Sequence, residues 1–146
     1  MKKILLILIV TILVTSCHFS NKYQNREADK MDAQKEIADL FYVIRHSEFD
    51  KATEFFGDEF YEVTLKEDLM KIFESTERKL GYLDRAELTD WNTMVSEGAI
   101  ESGIYNMNYN VKFEKGDAKL KLTLTKNEKG KIKVVGYNVQ SKAFMN

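Results

Sequence analysis

At Gly81 the spacing of apolar residues changes, and the change divides the chain into a helical half and a strand half. Upstream of it, Ala33, Ile37, Leu40, Phe41 and Ile44 recur at helical intervals with Lys35, Glu36 and Asp39 between them, which predicts one amphipathic helix. A short second helix is expected over residues 48–56, capped by Asp50 and ended by Gly57. Thr64 and Glu67 have capping-box spacing and open a third helix, whose buried stripe is Leu65, Leu69, Ile72, Phe73, Thr76 and Leu80. Gly81 stands where a left-handed cap would close it.

Beyond Gly81 the period is two. Tyr105, Met107, Tyr109, Val111 and Phe113 alternate with Asn106, Asn108, Asn110 and Lys112, so this strand has one apolar and one polar face. Ala118, Leu120, Leu122 and Leu124 repeat the pattern after a hairpin-length joint at residues 114–117. A further turn at residues 127–130 leads into a strand over residues 131–140. There Ile132 and Val134 are out of phase with Val135, Tyr137 and Val139, which a bulge near Gly136 or burial of both faces would reconcile. The earliest strand lies within residues 82–96, with Leu88 and Trp91 as its heaviest apolar side chains. The expected fold is α+β, with three N-terminal helices covering the apolar face of a four-stranded antiparallel sheet.

Ahead of this domain stand Lys2 and Lys3, an apolar run over residues 4–14, and Val14-Thr15-Ser16-Cys17. The run is shorter than the roughly 20 apolar residues of a membrane-spanning helix and fits a secretory signal. The segment resembles a bacterial lipoprotein signal ending in a lipobox. The resemblance implies cleavage after residue 16, a diacylglycerol on the Cys17 thiol, and an anchor in the lipid bilayer of the cell envelope. Two or more acyl chains hold stably where one holds marginally. His18 then replaces the aspartate that retains many such lipoproteins in the inner membrane, which favours the outer membrane in a cell that has one. Residues 17–27 are expected to be the lipidated cysteine and a polar tether, and residues 28–146 the single domain. Cys17 is the only cysteine, so no disulfide framework is available and stability must come from an ordinary core.

The chain carries 22 basic and 23 acidic residues, and loss of the signal would remove Lys2 and Lys3 but no acid. Nucleic-acid partners and a polybasic membrane patch are therefore not expected. Zinc ligands in convergent spacing, a glycine-rich phosphate loop and a nucleophile elbow are also lacking, so neither a metal nor a cofactor is expected. His46 falls at the end of the first helix, where a surface imidazole is favourable without any catalytic role.

The order of helices then antiparallel strands is similar to the cystatin-like or nuclear-transport-factor-two-like superfamily, whose curved sheets form cones. Ser47-Glu48-Phe49-Asp50-Lys51-Ala52 looks like the Gly-Asp-Tyr-Asp-Lys-Ala helix joint of many small bacterial members, with Ser47 in place of the glycine. Gly136-Tyr137-Asn138-Val139 looks like the ending of secreted domains of this type. Enzymes of the superfamily, such as ketosteroid isomerases and polyketide cyclases, place an acid or base and a tyrosine inside the cone. Here the inward positions offer no obvious partner carboxylate, and a non-enzymatic module that binds another protein or an envelope component is the expected function. Trp91, Tyr105, Tyr109 and Tyr137 are the candidate lining of a pocket for a small apolar ligand, or else ordinary core. An isomerase-like or hydratase-like enzyme is the remaining alternative. The polar outer sheet face, with Asn106, Asn108, Asn110, Lys112, Lys119, Lys121, Thr123 and Thr125, argues for a monomer, because unpaired buried polar groups are costly.

Overall fold

The computed structural model describes residues 20–145, so the expected signal and Cys17 lie outside the described residues. In chain order the elements are β1 (Asn21–Gln24), α1 (Glu27–Arg45), α2 (Phe49–Thr53), α3 (Asp58–Tyr61), α4 (Lys66–Leu80), β2 (Leu83–Glu97), β3 (Ser102–Phe113), β4 (Gly116–Lys126) and β5 (Ile132–Gln140). A 3-10 turn, Lys142–Phe144, follows. The five strands form one sheet in the order β1-β2-β3-β4-β5, and every neighbouring pair is antiparallel. The α+β class agrees with the sequence, as does the order of helices then strands apart from β1; the expected three helices and four strands are corrected to four and five among the described residues.

The extra strand falls in the segment expected to be tether. β1 is polar and mostly exposed, and at four residues it is too short for an alternating pattern to register. It pairs with the end of β2, from Asn21 opposite Glu97 to Gln24 opposite Met94. Asn25, at a φ of +51°, then turns the chain into α1. Its side-chain oxygen accepts from the Thr93 N–H (2.9 Å) and the Asn92 amide (3.0 Å). The extra helix, α3, is a single turn whose Phe60 plugs the core.

Neither expected side-chain cap forms. Leu65, not Thr64, occupies the N-cap of α4 with no capping bond, and it is 65% exposed instead of buried. Asp50 lies inside α2 and pairs with Lys66 at 2.7 Å, bracing α2 against the start of α4. Gly81 does end α4, at a φ of +79° but with an extended ψ of −167°. Ser47, where the resembling motif has glycine, sits at a φ of +56°.

The strands cross the core in rows. Thr93, Tyr105, Leu124 and Val134 form one row, and Trp91, Met107, Leu122 and Tyr137 the next. A third row is Leu88, Tyr109, Leu120 and Val139. Ala33, Ile37, Leu40, Phe41 and Ile44 of α1, with Leu69, Phe73, Thr76 and Leu80 of α4, are buried with these rows in one core. The register of β5 shifts by one residue at Val135, between partners of Thr123 and Leu124, which is the bulge that the phase change beside Gly136 required. The free edge of β5 is closed by the chain after α2, where Gly57 N–H donates to the Val134 carbonyl and Val134 N–H to that of Phe55, both at 2.9 Å.

The antiparallel order sorts the connections to opposite ends. The start of β1, the β2–β3 turn and the β4–β5 turn share one end, where Lys126 meets Glu101 at 3.1 Å. The β3–β4 turn, the end of α4 and the 3-10 turn share the other. There Lys115 N–H donates to the Leu80 carbonyl (2.8 Å) and Ser141 Oγ to that of Asp117 (2.7 Å).

Candidate functional site

Trp91, Tyr105, Tyr109 and Tyr137 all belong to the inner-face rows, but they do not converge. Trp91 and Tyr137 stand at opposite ends of one row with the buried Met107 and Leu122 between them. Tyr109 packs edge-on against Phe41 at 5.3 Å, and Tyr137 edge-on against Phe73 at 5.5 Å. Trp91 is half-buried, with the Lys30 ammonium 5.0 Å from its ring. A cavity between α4 and the sheet, touched by Tyr137 but none of the other three, has a volume of about 20 Å³. That space holds a single water, whereas small-molecule sites run to roughly 300–1,000 Å³. The phenols are correspondingly hard to ionise. Burial pushes the Tyr109 pKa up to about 12, and burial with the nearby Asp29 and Asp32 carboxylates does the same to Tyr105. Burial also raises that of Tyr137.

A buried acid does lie near Tyr105, and the sequence reading missed it. Asp29 is only 2% exposed in the first turn of α1. The Arg26 guanidinium donates to both of its oxygens, Nε to Oδ2 at 3.0 Å and Nη2 to Oδ1 at 2.7 Å, and Nη2 also bonds Glu97 on β2. The signal was present in the sequence: Asp29 stands four residues before Ala33, on the stripe that α1 buries. An acid and a tyrosine in one region are the parts of a proton-transfer site, but here they are not assembled as one. Asp29 is held by the cation, forms no hydrogen bond to Tyr105, and stabilises the β1–α1 corner. The Tyr105 hydroxyl and the neighbouring Thr93 hydroxyl are buried without partners. The phenol fits because position 103 is glycine; a Cβ there would come within 3.0 Å of its oxygen.

His46 caps the end of α1. Its Nδ1 lies 2.7 Å from the Tyr42 carbonyl and its ring packs on that of Tyr42. Among the described residues no group of His, Cys, Asp and Glu is placed to hold a metal ion. No helix among them is long and apolar enough to cross a membrane.

The larger concavity is an open groove of about 1090 Å³ at the β3–β4 end. Val139, Ala143, Phe144 and Met145 supply its accessible apolar surface, and Arg85, Lys112, Lys115, Lys119 and Lys142 outnumber Glu87 and Asp117 around it. Arg85 stands directly opposite Lys112 across the β2–β3 ladder, a like-charged pair that is unfavourable on its own. The sequence alternation placed Lys112 and Lys119 on a polar face; the 3-10 turn adds Lys142 and Phe144, whose ring lies under the Lys79 ammonium at 5.6 Å. Compared with models of protein families, with curated proteins and with solved structures, the chain has no match.

Proposed function

We propose that the chain is a lipoprotein of the bacterial cell envelope, held in the bilayer through an acylated Cys17, whose cystatin-like domain binds another envelope component and catalyses no reaction. The observation that carries the binding reading is the filled inner face of the sheet: the cavity against it is about 20 Å³, far below what a carried ligand or an enclosed substrate requires. The open groove at the β3–β4 end, lined by basic side chains and by Val139, Phe144 and Met145, is the surface offered to a partner. The cystatin-like assignment is supported by the meander order of the sheet with the helices preceding it, apart from β1. Native mass spectrometry of the full-length product, extracted from its membrane in mild detergent, tests the reading. The expected mass is that of residues 17–146 plus covalent lipid. A stoichiometric apolar molecule released on denaturation would establish a carrier instead.

A further inference from the structure

We infer that the end of the sheet formed by the start of β1, the β2–β3 turn and the β4–β5 turn faces the bilayer, with Ile100 entering the lipid interface. The inference rests on the reading of Cys17 as the acylated residue. Cys17 precedes Asn21 by four residues, and four residues span at most about 14 Å in any conformation. Asn21 is paired with Glu97, the last residue of β2, so the β2–β3 turn is bound to the first strand that follows the anchor. The short connection therefore keeps this turn close to the lipid.

The side chains at that end suit such a surface. Ile100, in the turn, is 58% exposed. Met94 and Ile104 are direct cross-strand partners on the outer face at the same end, 54% and 50% exposed, where the alternation elsewhere supplies asparagine, lysine and threonine. Among the described residues no protein covers these apolar side chains, and an interface of headgroups and acyl chains would. The charges agree. Arg26 is shared between Asp29 and Glu97, and Lys126 pairs with Glu101, while Lys22, Lys129 and Lys131 are exposed alongside the one further acid of the turns, Glu128. Basic residues beside an apolar tip favour contact with anionic headgroups. The eleven residues of β4 then set the β3–β4 end about 35 Å away along the strand, so the groove is presented outward from the membrane.

The test uses the full chain, processed in cells and reconstituted into vesicles of phosphatidylethanolamine and phosphatidylglycerol. Ile100→Cys and Lys115→Cys are made separately and labelled with a nitroxide, Cys17 being protected by its own acylation. Incorporation of labelled palmitate is measured on the same preparations. The expected result is an Ile100-site nitroxide that collides more with oxygen than with an aqueous nickel chelate, as in lipid, and a Lys115-site nitroxide with the opposite preference. Palmitate incorporation with both labels in water would overturn the orientation while leaving the anchor intact. Absence of palmitate would overturn the anchor and the inference together.

Discussion

Arg26 and Asp29 are joined by two hydrogen bonds, at 3.0 and 2.7 Å, across the corner where β1 becomes α1. The guanidinium is partly open to solvent, but the carboxylate is not. Removing one partner of such a pair leaves the other charge buried and uncompensated, which costs more than removing both. Arg26→Met is expected to lower the urea midpoint. Adding Asp29→Asn in the same chain should recover part of the loss. A double variant no more stable than the single one would show that the Asp29 carboxylate is solvated after all.

The same guanidinium holds the Glu97 carboxyl below its ordinary value of 4.5. Because the folded-state value is the lower one, the stabilisation is present above the ordinary value and disappears as pH falls through the folded one. The difference in urea midpoint between the wild type and Glu97→Gln is therefore expected at pH 6 and should shrink steadily below about pH 4.5. A difference independent of pH would place the effect of the substitution elsewhere.

Tyr105 and Tyr109 are raised from the ordinary 10.0 to about 12. Their contribution is complete below pH 10 and is lost as pH rises toward 12, so ultraviolet titration should show a late phenolate fraction that appears at lower pH once the protein is unfolded in urea. The Tyr105 hydroxyl has no hydrogen-bond partner, so Tyr105→Phe is expected to leave stability unchanged or raise it. A loss above about 1 kcal/mol would mean that the hydroxyl is satisfied, for example by a buried water.

Ser47 and Gly81 are both at positive φ, +56° and +79°. An L-residue with a Cβ pays about 1–2 kcal/mol in the left-handed region, partly offset for glycine by its greater freedom when unfolded. Ser47→Gly should stabilise the protein by about 0.5–1 kcal/mol, despite losing the exposed bond to Glu77, and Gly81→Ala should cost about 2–3 kcal/mol, since its φ and ψ fall in an essentially glycine-only region and a Cβ there would meet that of Glu114 at 2.9 Å. Chemical denaturation of the two variants decides, and equal signs for both would contradict the backbone assignment.

The fold was legible where a pattern runs long enough to repeat. The stripe from Ala33 to Ile44, the alternation from Tyr105 to Phe113 and the phase slip at Val135 each predicted the element that is present. β1 and α3 span only four residues each, too few for a period, and are held by tertiary contacts such as the pairing of Tyr23 with Val95. Asp29 escaped notice because the apolar stripe starts only at Ala33, and an acid ahead of it reads as a solvated residue unless its partner, here Arg26 three positions earlier, is considered with it. The candidate site was legible only in part. Alternation identified Tyr105, Tyr109 and Tyr137 as inward, but it could not say that Phe41, Phe49 and Phe73 from the helices would fill the space before them.

The envelope anchor depends on Cys17, and labelled palmitate supplied to cells making the wild-type chain or Cys17→Ala tests it directly. The wild type is expected to incorporate the label and to run as the shortened mature form, while Cys17→Ala accumulates as an unlabelled precursor. Equal labelling of the two, or none in either, would contradict the anchored lipoprotein.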